Sequence, residues 1–217
     1  MVWRGIAPGV FEGIQLSEED RELLAIRLKL SNLPLPTRET HRFVTWKHRP
    51  DLVEAYDMAR AMVTPSSAKH PFLTLIGPPG TGKTHLALAA AWELLEYFFA
   101  VAYWQVEVLL DTVRQGYESK GPVRDWQPQE LLDYVSHCQF LVLDDLGAEK
   151  PTEWAVAKLD KIIDHRYISR LPTIFTSNLE LGKLPLRIGD RLGEGAVCVL
   201  KAGSYRRIMS QKDRKAT

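Results

Sequence analysis

Residues Gly77 to Thr84 read Gly-Pro-Pro-Gly-Thr-Gly-Lys-Thr, directly behind the apolar run Phe72-Leu-Thr-Leu-Ile76 and ahead of the helical pattern His85-Leu-Ala-Leu-Ala-Ala-Ala-Trp92. A strand, a glycine-rich turn and a helix in that order build a phosphate cradle. Gly77, Gly80 and Gly82 let the backbone fold back so that successive N–H groups and a helix N-terminus converge on one anion. Lys83 adds a positive charge near the β- and γ-phosphates, and the Thr84 hydroxyl is placed to ligate Mg2+. The pattern is complete over eight residues and sits in the context its mechanism needs, which sets it apart from a chance glycine-rich turn.

Outward from this loop, short apolar runs alternate with longer helical patterns. The spacing predicts strands at 72–76, 100–104, 140–143, 173–176 and 197–200, and helices at 83–98, 107–115, 129–136, 153–168 and, shorter, 186–192. Such alternation specifies an α/β fold with a mostly parallel sheet flanked by helices. Upstream, Ser17-Glu-Glu-Asp20 has capping-box character before Leu23, Leu24, Leu28 and Leu30, which predicts one amphipathic helix. Asp51 is read as the cap of a second helix with a core stripe of Leu52, Tyr56, Ala59 and Met62. The division expected is a short N-terminal helical extension over 1–40, a phosphate-loop α/β domain over 41–209 and a flexible tail over 210–217.

A length of 217 residues allows one sizeable core with a small appendage. Hydrophobic and charged shares of 45% and 25% exclude a disordered or fibrous class, and a net charge of +1 leaves a local basic patch open. Cys138 and Cys198 have no partners at zinc spacing and read as buried reduced thiols. No apolar run approaches a membrane span and Met1-Val-Trp-Arg-Gly5 lacks a secretory hydrophobic region, so no membrane contact and a cytoplasmic location are expected.

Three further strand or helix ends carry chemistry. Phe140-Leu-Val-Leu-Asp-Asp145 closes an apolar strand with two carboxylates, at the strand end where open α/β sheets bind ligands. Asp144 is read as the Mg2+ partner of Thr84, and Asp145, one methylene shorter than Glu, as the group that orients or deprotonates an attacking water. Asn178, after Thr173-Ile-Phe-Thr-Ser177, can hold that water or the γ-phosphate through an uncharged amide. Arg187 and Arg191 lie four apart on one helical face, suited to donate a guanidinium to a neighbouring subunit's nucleotide or to pair with nearby carboxylates; Arg206 is either a nucleotide contact or part of a basic tail. Residues 114–126, with Arg114, Tyr117, Lys120, Arg124 and Trp126, mix cations and aromatics as single-stranded DNA binding requires, and also read as an ordinary surface loop. Tyr103 and Trp104, ending a strand, read as core.

GPPGTGKTHLALA, FLVLDDLGAEKPTEWA, RLPTIFTSN and RIGDRL together resemble the AAA+ ATPases of the DnaC/DnaI helicase-loader and IstB transposition-helper group, over residues 31–209. The resemblance implies an AAA+ P-loop fold that binds ATP and Mg2+. Gly77, Pro78, Pro79, Gly80, Thr81, Gly82, Lys83, Thr84 and His85 stand at the nucleotide, Asp144 and Asp145 form Walker B, and Asn178 is sensor 1. Of the arginine pair, the resemblance puts Arg191 at the trans finger, and Arg206 falls at sensor 2. It further implies a homo-oligomer sharing its ATP sites, single-stranded DNA, and a replicative helicase as partner in bacterial or phage replication. The alternatives are a transposase helper with the same site, a P-loop small-molecule kinase, and an ATP-binding switch that barely hydrolyses. The front end departs from the bacterial loaders, since only about 40 residues without zinc-type cysteines precede the domain. Either the helix over 17–30 docks the helicase in reduced form or the partner differs.

Overall fold

The computed structural model describes residues 2–7, 10–14, 17–64, 70–148, 152–201, 203 and 205, with the backbone alone for 2–14. Five parallel strands form one sheet: β3 (Phe72–Ile76), β4 (Val101–Gln105), β5 (Phe140–Leu146), β6 (Thr173–Ser177) and β7 (Ala196–Val199), in the order β4-β5-β6-β3-β7. Helices α1 (Glu18–Ser31), α2 (Val53–Met62) and α3 (Lys83–Glu96) cover one face. The other carries α4 (Val106–Ser119), α5 (Pro128–His137), α6 (Glu153–Ile168) and α7 (Leu186–Gly193).

Side-chain alternation along the strands divides the core between these faces. Leu73, Leu75, Tyr103, Phe140, Val142 and Ile174 pack toward α1–α3, while Phe72, Ala102, Trp104, Leu141, Leu143 and Phe175 pack toward α4–α7. Strands buried on both sides read as unbroken apolar runs, which is why β3, β4, β5 and β6 were legible in the sequence. Helix α3 runs through the centre, with Leu86 to Trp92 almost without solvent contact. Its small alanines allow that close approach.

Strand order fixes where a ligand can sit. The chain leaves β3 through α3 toward β4 at one edge, whereas β6 leaves through α7 toward β7 at the other. Neighbouring strands β3 and β6 therefore send their connections to opposite sides. The crevice beyond their carboxyl ends is a topological switch point, the usual ligand site of an open α/β sheet.

The N-terminal region differs from the sequence expectation. An antiparallel pair, β1 (Val2–Ala7) and β2 (Val10–Ile14), precedes α1, so the extension is not helical throughout. The capping box on α1 is present, with the Ser17 hydroxyl accepting from the Asp20 amide and Asp20 accepting from the Ser17 amide. Asp51 does not cap a helix: it lies in a 3-10 turn, Pro50–Leu52, and its carboxylate pairs with Arg49 at 2.7 Å. The proline supplies the turn, so α2 begins at Val53 without a side-chain cap. Cys138 and Cys198 are both buried and free. The tail over 210–217 lies outside the described residues, and no helix among those described is long and apolar enough to cross a membrane.

One buried cation ties the second helical layer together. Arg166 of α6 has no solvent exposure and donates to the Val135 and Cys138 carbonyls at the end of α5, the Pro172 carbonyl and the Thr173 hydroxyl, at 2.8–3.0 Å. Burial pulls the guanidinium below its ordinary value, but an arginine keeps its proton, and helix-end carbonyls are suited to a cation. Replacing it leaves several acceptors without donors, each costing about 1–3 kcal/mol. Arg166→Leu is therefore expected to lower the unfolding free energy by about 3 kcal/mol or more, seen as a lower urea midpoint; a midpoint equal to wild type would contradict this.

Candidate functional site

The phosphate loop hangs between β3 and α3 and is pinned at both ends. The Gly77 amide donates to the Ser177 carbonyl at 3.1 Å, and the Gly80 carbonyl accepts from the Tyr205 amide at 2.8 Å. Two glycines are obligatory for steric reasons. A Cβ on Gly77 would lie 2.4 Å from the Leu200 carbonyl, and one on Gly82, at φ +103°, would lie 2.6 Å from the Trp46 ring.

Lys83 opens α3 and is buried. Its ammonium donates to the Gly77 and Pro78 carbonyls at 2.7 and 3.1 Å and to Asn178 Oδ1 at 2.9 Å. Asn178 then donates through Nδ2 to Asp145 Oδ1 at 2.7 Å. One amide thus bridges the loop lysine and the second acid, across three consecutive positions of the sheet.

Asp144 is buried and surrounded by hydroxyls. Thr84 Oγ1 reaches its Oδ1 at 3.0 Å, Thr176 Oγ1 reaches the same oxygen at 2.6 Å, and the Tyr103 phenol reaches Oδ2 at 2.8 Å. Burial first, and then the Asp144 carboxylate, push the Tyr103 phenol far above its ordinary value, so it stays a donor.

Asp145 points elsewhere because the strand breaks register there. Pairing of β5 with β6 passes from Leu143↔Phe175 to Leu146↔Ser177, and Asp145 takes φ +60° with its amide donating to Thr176 Oγ1 at 2.9 Å. The irregularity turns the second carboxylate out toward Asn178 while the first stays in. Two adjacent acids thereby acquire different surroundings.

Beside the loop opens a cavity of about 360 Å³ lined by residues 80–85 on one side and by His41, Trp46, Lys47, Arg49 and Tyr205 among others on the opposite side. His85 lines this cavity next to its aromatic side. Its Nε2 lies 3.0 Å from the Arg42 carbonyl and its ring stands 4.9 and 5.2 Å from those of His41 and Trp46, where burial lowers its pKa. An aromatic wall next to a phosphate cradle suits a nucleobase.

The structure thus brings together Lys83, Thr84, Asp144, Asp145 and Asn178, and leaves the arginines apart. Arg187 and Arg191 lie on α7 against α6, paired with Asp160 at 3.0 Å and Asp164 at 3.1 Å. Arg191 also reaches Glu194 at 3.3 Å and covers the Tyr167 ring; Arg187 is far more exposed, at 72% against 32%. Arg206 lies outside the described residues. In residues 114–126, α4 continues to Ser119 and Trp126 packs on Tyr134 at 5.1 Å, so this aromatic is half-buried; exposed Tyr117 lies beneath Lys158 at 5.3 Å. Tyr103, read as core, is buried and also joins the site through its phenol; Thr176, Trp46 and Tyr205 join it without having been singled out. The signal for Thr176 was its place two residues before Asn178, and for Tyr103 its place at a strand end.

Comparison with known proteins accords with this geometry. Residues 53–197 match the family model described as IstB-like ATP binding protein. The replicative helicase loader DnaC of Escherichia coli K12 is 27% identical over 143 residues, covering 63% of this chain and 57% of the loader. The replicative helicase loader DnaI of Bacillus subtilis is 31% identical over 146 residues, covering 66% of this chain and 42% of that protein. The chain thus spans about half the length of the curated relatives it matches. Among solved structures, AMPPCP-bound DnaA from Aquifex aeolicus superposes with a TM-score of 0.69 at 18% identity, covering 81% of this chain and 55% of that one, a likeness of fold. With an AAA+ P-loop architecture and a family match over more than half its length, this chain belongs to the IstB-like ATP-binding protein family.

Proposed function

We propose that this chain is an Mg2+-dependent ATPase that works as a helicase loader, binding single-stranded DNA and helping to deliver a replicative helicase in bacterial or phage replication. The observation that carries the ATPase reading is the pair of hydrogen bonds made by Asn178, accepting from Lys83 on one side and donating to Asp145 on the other. A residue that touches both the loop lysine and the half-buried second acid is positioned to sense whether a γ-phosphate is present. The loader reading is supported by the names of DnaC and DnaI.

The residues present fit Mg2+. Thr84 Oγ1 and Asp144 Oδ1 stand 3.0 Å apart as paired hard oxygens, and an ion of this kind completes its shell with phosphate oxygens and water. Thr84 would hold the ion directly, with Asp144 beside it, and the ion would neutralise charge on the phosphates. Lys83 exchanges its carbonyl acceptors for phosphate oxygens. Asp145, held by Asn178, orients a water for attack and accepts its proton. Gly77 to His85 with the Trp46 wall bind the nucleotide, and Arg206 stands as a candidate contact from the C-terminal side.

Subunits assemble as a homo-oligomer in which Arg191 completes a neighbour's site. Its ion pair with Asp164 then has to exchange for phosphate, whereas Arg187 is exposed and less tightly held. A transposase-helper role is the second reading, favoured by the IstB-like family match. Retention of a replicative helicase on the immobilised chain with ATP supports loading, and retention of a transposase in its place supports the helper role; ATP turnover unaffected by single-stranded DNA would count against both.

Asp145→Asn is expected to lower ATP turnover by about 100-fold or more while ATP binding persists, checked by phosphate release alongside binding of a labelled nucleotide. Loss of binding in step with turnover would contradict the assigned role. For the shared site, Arg191→Ala alone is expected to cost about 1,000-fold in turnover, and Lys83→Ala alone to be inactive. Mixing the two restores activity, because the Lys83→Ala subunit lends its intact Arg191 to a neighbour with an intact loop. A mixture as inactive as its components would exclude Arg191, and the same mixing with Arg187→Ala identifies the finger if that is the one restored.

A further inference from the structure

The buried carboxylate of Asp144 has two oxygens with different neighbours. Oδ1 receives the hydroxyls of Thr84 and Thr176, and among the described residues Oδ2 receives the phenol of Tyr103 at 2.8 Å. Of these donors, Thr84 is itself a candidate metal ligand. Thr176 is also engaged, accepting the Asp145 amide. Contacts on one oxygen alone leave a carboxylate free to swing about the bond to its Cβ; a donor on the second oxygen fixes its plane.

Tyr103 is held rigidly enough to do this. Its ring is buried on the face of the sheet covered by α1–α3, and β4 pairs with β5 in register through Tyr103↔Val142 and Gln105↔Asp144. The carbonyl of Tyr103 accepts the side-chain amide of Asn32 at 3.0 Å, and Asn32 is the left-handed residue that ends α1. The strand end carrying the phenol is thus anchored from both the sheet and the first helix.

We propose that Tyr103 is a positioning residue for the Mg2+–nucleotide site, acting through Asp144: its hydroxyl orients the carboxylate so that Oδ1 faces Thr84 and the metal. The inference rests on the reading of Thr84 and Asp144 as the Mg2+ site. Partners of this kind, which touch a ligand group rather than the ion, commonly change metal affinity about 10–100-fold when removed. The phenol contributes nothing to the phosphate loop itself, so its loss falls on the metal-dependent part of nucleotide binding.

The test is binding of a fluorescent ATP analogue to the full chain, titrated with Mg2+ from a chelated baseline. Tyr103→Phe deletes one oxygen and keeps the ring. Its expected effect is a rise of about tenfold in the Mg2+ concentration at half-saturation, with affinity for the Mg2+-free analogue and the melting midpoint close to wild type. In an Asp144→Asn background the same change adds nothing, since residues acting through one another are non-additive. Tyr103→4-aminophenylalanine, which restores an N–H donor at similar reach, brings the half-saturation point back toward wild type.

An unchanged half-saturation point in Tyr103→Phe overturns the inference. So does an equal, additive loss in the Asp144→Asn background, or a failure of the amino analogue to recover any of the lost affinity. If Asp144→Asn by itself leaves Mg2+ dependence untouched, the assignment of the metal site falls, and this inference falls with it.

Discussion

A carboxylate buried near the carboxyl end of β5 is the constraint around which the site is organised. Asp144 has 2% of its surface exposed, and its partners are hydroxyls rather than a cation. An ionised carboxylate out of water costs several kcal/mol or more unless its lone pairs are filled. Here they are filled from three different elements: Thr84 from α3, Tyr103 from β4 and Thr176 from β6. Satisfying this one charge therefore requires β5 to lie between β4 and β6, and the first turn of α3 to sit above them. The strand order of the sheet and the placement of the phosphate loop meet in a single side chain.

The next residue shows the opposite solution. Asp145 escapes burial because the ladder slips between Leu143 and Leu146, and its amide, denied a strand partner, takes Thr176 Oγ1. Thr176 thus serves both acids, donating to Asp144 and accepting from Asp145. The positive φ at Asp145 is a conformation that aspartate tolerates better than most residues, at a cost on the order of 1 kcal/mol. An inward acid suited to a metal and an outward acid suited to a water follow from one irregularity in one strand.

Much of this was legible before any coordinates. Fully buried parallel strands announce themselves as apolar runs, and the phosphate loop, the acidic pair and Asn178 each stand at the end of such a run. What sequence could not convey was which strand ends are neighbours. Tyr103 and Asp144 are 41 positions apart, and only the order β4-β5-β6-β3-β7 makes their side chains adjacent. The same limit applies to Arg187 and Arg191. Their spacing on α7 was plain, but so was that of Asp160 and Asp164 on α6, and the register that pairs the two ladders is a property of packing between helices. The β1–β2 pair was missed for a different reason: Pro8-Gly9 is a good turn signal, yet Arg4, Gly5, Glu12 and Gly13 interrupt the flanking segments, which lack the unbroken apolar run of the central strands.

The polar groups of this site are mutually satisfied, and that shapes how a nucleotide can act on it. Lys83 binds two loop carbonyls and Asn178, and away from the site Arg191 is likewise paired, with Asp164 and Glu194. A phosphate that engages either cation exchanges one set of hydrogen bonds for another, so the net gain per contact is small compared with its gross strength. Affinity then depends on how many exchanges occur together. Because Asn178 is shared between Lys83 and Asp145, moving the lysine onto phosphate releases the Oδ1 end of the amide whose Nδ2 end holds the acid. On the roles proposed for Lys83 and Asp145, nucleotide binding and the placement of the second acid are linked through one side chain.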